Sequence, residues 1–316
     1  MTELDVYGRY YAAAQRLALL SRTEWLARRT AQWVAANFHP QRHVDPPWLG
    51  FALPSGITYE REHWHRSVFL DSYAMIQYYA LRKFVERGRI LLNDPEDRLR
   101  LHRQHGGVFL TYHHHFFNHI GPLLAGLGLT TSVITLSYEE SPLYPLFDRY
   151  LKRPTANAQR LLSGGRWIFV GAAAGANSAI ARNLALDVID AGQNLVMAID
   201  FQNLFSWGRS DSVVVAGRTL QLPTGLLRRI SERRVPLSTA YLRMDDSGSI
   251  RLHVSALPDL GGTRGVADVL AVYGARLDAL LGVDPAFWEG WHNLAPNATI
   301  PEDVLCTAPL EHSCRH

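Results

Sequence analysis

The chain reads as an α/β protein with a largely parallel central sheet flanked by helices and an N-terminal helical region in front of it. Three observations predict this. From Gly106 onward, short apolar runs alternate with helical segments. Several of those runs are apolar on both faces, as strands buried within a parallel sheet are. The 316 residues are 47% hydrophobic and 19% charged, which is enough apolar material for a large core.

Each element has its own warrant. The stretch "YYAAAQRLALLSRTEWLARRTAQWVAANF" places Leu17, Leu20, Trp25, Leu26, Trp33 and Val34 at helical spacing, with arginines at 16, 22, 28 and 29 on much of the remainder. Such an Arg/Trp helix either covers a core or lies in a membrane interface. A proline-rich loop, "HPQRHVDPPWLGFALPSG", separates it from a second helical stretch running from about Glu60 to Leu92. The strands are expected at 107–112, 132–136, 166–170, 194–200, 235–244 and 249–257. Between them "FFNHIGPLLAGLG", "GANSAIARNLALDVIDAG" and "PTGLLRRISERR" predict helices. Asn177 or Ser178 caps the second of these, and Gly192 stands just past its end. A closing helix follows near 263–282. The expected organisation is a helical region over 1–95 packed on an α/β core at 96–295, then a tail at 296–316.

Composition excludes some functions. A net charge of +3 and a pI near 8.9 lack the concentrated positive face of a nucleic-acid binder, so no nucleic-acid partner is expected. Nearly all the basic residues are arginine, Lys83 and Lys152 being the lysines. Cys306 and Cys314 both fall in the tail, with His312 and His316, so no disulfide framework or CxxC pattern is present. No cofactor is expected. A signal peptide and an eighteen-residue apolar span are both lacking, which predicts a cytoplasmic protein, with peripheral contact to the inner membrane left open.

The densest chemistry lies in "LTYHHHFFNHIG", at 110–121, where the first core strand gives way to a helix. Ligands collect at the carboxyl ends of strands in such sheets. His115 and His119 have the HxxxH spacing of a metal pair, but no third ligand is evident and HExxH is absent. A histidine at a strand end equally suits general-base work, usually with a carboxylate that accepts its second ring N–H and stabilises the imidazolium.

The block "GGVFLTYHHHFFNHIGPLLAGLG" resembles the first motif of the lysophospholipid acyltransferase superfamily, and more closely that of the late lipid A biosynthesis acyltransferases. There an apolar strand leads into His-x4-Glu/Asp and a small-residue helix. Further blocks resemble the same family in order: "AANFHP" with "HWHRSVFLDSYAMIQYYALRKF", then "NLVMAIDFQ", "VVVAGRTLQLPTGLLRRISERRVPLSTAYLRM" and "LDALLGVDPAFWEGWHNL". The likeness spans roughly residues 24 to 294. It implies a glycerol-3-phosphate acyltransferase-like sandwich, with an acyl-carrier-protein or coenzyme A thioester as donor and a small-molecule or lipid acceptor. His114 falls on the family's histidine.

The acid position, however, holds His119. Shifting the register pairs His113 with Asn118, or His115 with Ile120, so no alignment restores a carboxylate. Asp200 closes another strand and is a remote candidate. The first reading is an active acyltransferase. In it His114 is the base, His119 or a remote carboxylate orients it, and backbone N–H groups at the helix start receive the oxyanion. An amine acceptor suits that relaxed site. A catalytically degenerate binding protein and a metal-dependent hydrolase are the other two readings. Arg153 matches a family position that contacts an anionic acceptor or carrier, while Arg182 and Arg218 are further anion contacts. Tyr138, Glu139 and Glu140 follow a strand end and are candidates to line the pocket. Gln202 joins Asp200 as a polar group that needs a partner if buried.

Overall fold

The computed structural model describes residues 3–21, 23–46, 48–86, 90–136, 144–170, 176–200, 210–260 and 265–294. Four N-terminal helices, α1 (Glu3–Ala18), α2 (Glu24–Asn37), α3 (Arg61–Tyr79) and α4 (Leu81–Glu86), precede the sheet. The first helical stretch is thus two helices. Thr23 ends the break between them, its side chain capping α2 by accepting from the Leu26 N–H at 3.2 Å. The second expected helix also breaks at Ala80 and stops at Glu86, short of Leu92. Its expected end is instead β1 (Leu91–Asn93), three exposed residues at a sheet edge.

After α5 (Arg98–His105), the core strands follow as β2 (Gly107–Thr111), β3 (Thr131–Leu136), β4 (Trp167–Val170) and β5 (Asn194–Ala198). Helix α6 (Phe117–Gly126) joins β2 to β3. A helical segment that the sequence reading did not anticipate lies between β3 and β4: α7 (Tyr144–Leu146), a π-helical turn (Phe147–Leu151) and α8 (Lys152–Arg160). Helix α9 (Ala176–Asp190) starts one residue before its expected caps, while Gly192 does adopt the left-handed φ of +69° just beyond its end. An antiparallel hairpin, β6 (Ser210–Val215) with β7 (Arg218–Pro223), then leads to α10 (Gly225–Ile230), β8 (Leu237–Met244), β9 (Ile250–Ala256) and α11 (Gly265–Val283).

The main sheet has seven strands in the order β1-β9-β8-β2-β5-β3-β4. Only β8 and β9 pair antiparallel, so β1 and β9 run against the other five. The mostly parallel α/β architecture read from the sequence is therefore present, with helices on both faces. Alternation along the central strands builds the two faces. Val108 and Leu110 of β2 enter one apolar cluster with α9, α10 and α11, whereas Phe109 enters the other with α1, α2, α3 and α6. All five residues of β2 are buried.

Two glycines set how closely the layers approach. An added Cβ at Gly106, where φ is +67°, would lie 2.4 Å from the Gly192 carbonyl oxygen. At Gly121 it would lie 2.3 Å from Val133 Cγ2, so this glycine lets α6 pack directly on β3. No helix among the described residues is long and apolar enough to cross a membrane.

Candidate active site

Strand register assembles the site. Strands β2 and β5 pair in parallel with Thr111 opposite Ala198, so two residues further on His113 faces Asp200. The His113 Nδ1 lies 2.7 Å from Asp200 Oδ1, and the His113 backbone N–H donates to Oδ2 at 2.8 Å. The Trp288 indole N–H donates to the same Oδ2 at 2.5 Å. Asp200 is fully buried, and these three donors compensate the desolvation of its carboxylate. Its contact fixes the proton on Nδ1 of His113 and leaves the lone pair on Nε2. The His113 side chain keeps 16% exposure and lies against the Phe117 ring at 5.5 Å between centroids.

The segment after α11 clamps this loop. Besides Trp288, the Glu289 backbone N–H donates to the His113 carbonyl at 3.0 Å. The Glu289 carboxylate pairs with His115 Nδ1 at 3.1 Å. His115 Nε2 meets Ser67 Oγ and the Ala286 carbonyl, both at 3.2 Å. Burial opposes charging this ring, yet Glu289 beside it outweighs that and raises its pKa above the ordinary value. His115 thus ties α3, the histidine loop and the closing segment together.

The other two histidines lie away from the Asp200 carboxylate. His114, expected as the base, is 2% exposed, and its Nδ1 accepts the Phe116 N–H at 3.0 Å. Its Nε2 faces the Leu242 amide at 3.4 Å, and burial pushes its pKa well down. The ring is thus turned inward, with its Nδ1 on the backbone. His119, expected to orient it, sits among the rings of Tyr78, Phe84 and Phe116 at 5.2 to 5.7 Å. Neither of its nitrogens has a hydrogen-bond partner among the described residues, and burial lowers its pKa to about 3.

The expected oxyanion site at the helix start is also largely occupied. The Phe116, Phe117 and His119 amides donate to His114 Nδ1, the His114 carbonyl and the Phe116 carbonyl. Asn118 lies half-buried in the first turn of α6, and it is Asp200 that takes the His113 ring N–H. His115 and His119 face different surroundings, so the HxxxH spacing does not bring them together on a metal. No group of three or more potential ligands converges among the described residues.

Of the expected anion contacts, Arg153 is exposed near the start of α8 and Arg182 is half-buried in α9. The Arg218 guanidinium lies over the Phe51 ring at 5.4 Å, and its Nε is buried without a hydrogen-bond partner among the described residues. No described hydrogen bond joins these arginines to the dyad. Tyr138, Glu139, Glu140 and Gln202, like the tail with Cys306 and Cys314, lie outside the described residues. Sequence reasoning passed over Trp288, Glu289 and Ser67. The aromatic-rich "DPAFWEGWHNL" was the one signal that its closing segment had a task.

No family model matches the chain, and a search of curated proteins finds no match to it.

The buried histidines make stability depend on acid. His102, held between Asn194 Oδ1 at 3.0 Å and Ser238 Oγ at 2.9 Å, is pushed by burial to about 4. Like His119 at about 3, it binds fewer protons folded than unfolded, where a histidine titrates near 6.5. Stability from both is complete above ~6.5 and falls as pH drops toward those values, by up to about 1.4 kcal/mol per pH unit for each. His115 has the opposite sign: its contribution is full below ~6.5 and is lost as pH rises through its raised pKa. Denaturant melts between pH 7.5 and pH 4 should show the acid loss, and His119→Leu should flatten it. His119→Glu, which restores the acid of the sequence pattern, should instead destabilise the protein by about 3 kcal/mol or more, because it buries a carboxylate among aromatic rings. Equal stability of that variant would contradict the placement of His119.

Proposed function

We propose that this protein is an acyltransferase that moves an acyl group from an acyl-carrier-protein or coenzyme A thioester to an amine or hydroxyl acceptor, with His113 as general base. The observation that carries the proposal is the His113–Asp200 pair at the carboxyl ends of adjacent parallel strands. The order and spacing of the acyltransferase-like blocks supply the reaction class, and with it a glycerol-3-phosphate acyltransferase-like variant of the α/β fold.

In this mechanism His113 Nε2 removes the proton from the acceptor N–H or O–H as that atom attacks the thioester carbonyl carbon. The carbonyl electrons pass to oxygen and return as the carbon–sulfur bond breaks. The imidazolium then gives its proton to the departing thiolate, so no net proton is gained or lost by the enzyme. Asp200 holds the tautomer and stabilises the transient positive charge. The acid lies two residues beyond β5, instead of five residues after the histidine as in the family pattern. This departure leaves the base–acid chemistry intact while changing the strand that supplies the acid.

The test is to incubate the full chain with acyl-carrier-protein and coenzyme A thioesters and a panel of amines and alcohols, following free thiol and acylated product by mass spectrometry. Product formed by wild type and lost in His113→Ala supports the reading. Thioesters left intact with every acceptor, or turnover unchanged in the variant, overturn it.

A further inference from the structure

We infer that the outward face of α2, together with the turn that precedes it, docks on an anionic lipid bilayer. Fourteen large hydrophobic side chains are exposed among the described residues, and five of them fall between Leu19 and Trp33. Leu19 and Leu20 project from the turn, and Trp25, Leu26 and Trp33 from the helix. Trp25 is 64% exposed and Trp33 50%. The two indoles stand eight residues apart with Arg29 midway, so all three share one stripe. The opposite side of α2 already buries Ala27, Ala31, Val34 and Ala35 in the core. The helix is thus apolar on two sides and only one is covered, and exposed apolar side chains gathered on one helix face mark an interaction surface.

Charge identifies what covers it. Among the exposed positions of α2, namely 25, 26, 29, 32, 33, 36 and 37, the ionisable side chain is Arg29. Arg16, in the last turn of α1, adds a second exposed positive charge. Glu24 is turned away, accepting from Tyr73 Oη and pairing with Arg28 at 3.4 Å. The Arg29 guanidinium stands 5.7 Å from the Trp25 ring centre. Indoles and leucines seated at headgroup depth, with guanidinium groups among phosphates, are the chemistry of an in-plane contact with anionic lipid. A second copy laid face to face would oppose like charges instead.

The helix also lies by the sheet end that carries the dyad. Arg28 Nη1 donates to the Ser247 carbonyl at 2.8 Å, tying α2 to the turn between β8 and β9. Strands β8 and β2 run parallel, so this turn lies at the same end of the sheet as His113. The inference stands independently of the acyl-transfer reading.

The test uses the full-length protein with phosphatidylcholine vesicles prepared with and without phosphatidylglycerol. Co-sedimentation with the anionic vesicles, weakened by salt, is expected. W25A/W33A should lower the bound-to-free ratio on the order of tenfold or more, with at most a small fall in melting temperature from the lost Trp33–Phe38 contact. R29Q should reduce the salt-sensitive part. Absence of binding to anionic vesicles, or equal binding by W25A/W33A, overturns the inference. So does self-association in analytical ultracentrifugation that this double variant abolishes, since the occupant is then a second copy.

Discussion

His113→Ala should lower the turnover number for acyl transfer by about 10²–10⁴-fold, the range associated with loss of a positioned general base, with the KM for thioester close to wild type and some loss of stability as buried Asp200 gives up one of its three donors. The expectation rests on a contrast within one tripeptide. Of His113, His114 and His115, the first combines partial exposure, a buried carboxylate on Nδ1 and a place at the mouth of the sheet. His114 spends its Nδ1 on the Phe116 amide, so His114→Ala should appear as lost stability, with a cavity beside Phe287 and an unsatisfied backbone donor. Its activity per folded molecule should remain far above that of His113→Ala. Thiol-release kinetics at matched folded concentrations, read beside thermal melts, separate the two. If His114→Ala loses turnover and His113→Ala does not, the base is misassigned.

How much of this was legible in the sequence follows from which forces act locally. β2 and β5 were readable because burial on both faces leaves apolar runs at 107–110 and 195–198. β1 was not, because its Leu91 and Leu92 read as the end of the preceding helical stretch, three residues are too few to show a strand period, and their pairing with Arg251–His253 is non-local. The β6–β7 hairpin also escaped. Its turn uses Ala216 and Gly217, both at positive φ, and only the glycine advertises that conformation. The histidine block stands out in the sequence, but three consecutive histidines at a strand end point in different directions; motif spacing singles out His114, whereas it is His113 that the structure sets against Asp200. The partner was harder still. Asp200 is 87 residues from His113 along the chain, and only the pairing of Thr111 with Ala198 brings them together. The expected acid at position 119 was sought along the helix, although in this chain that position is an apolar contact under α3 and α4.

Asp200→Asn should cost a comparable factor, about 10²–10⁴ in turnover, for a different reason. The carboxylate accepts from three donors, two from His113 and one from Trp288. An amide of the same shape offers one acceptor oxygen and presents N–H groups where a lone pair is needed. If the oxygen stays with the His113 backbone N–H and Trp288, the amide nitrogen meets Nδ1 and forces the ring proton onto Nε2. The base is then protonated on the nitrogen that must accept. Nitrogen-15 spectra of labelled protein should therefore show a change of His113 tautomer in step with the loss of rate. Trp288→Phe provides the graded case, because it removes one of the three donors and leaves the His113 contact in place. Its rate should lie between wild type and Asp200→Asn. A protein that keeps its rate in Asp200→Asn uses this carboxylate only to hold two strand ends together, and the dyad would then be a structural tie.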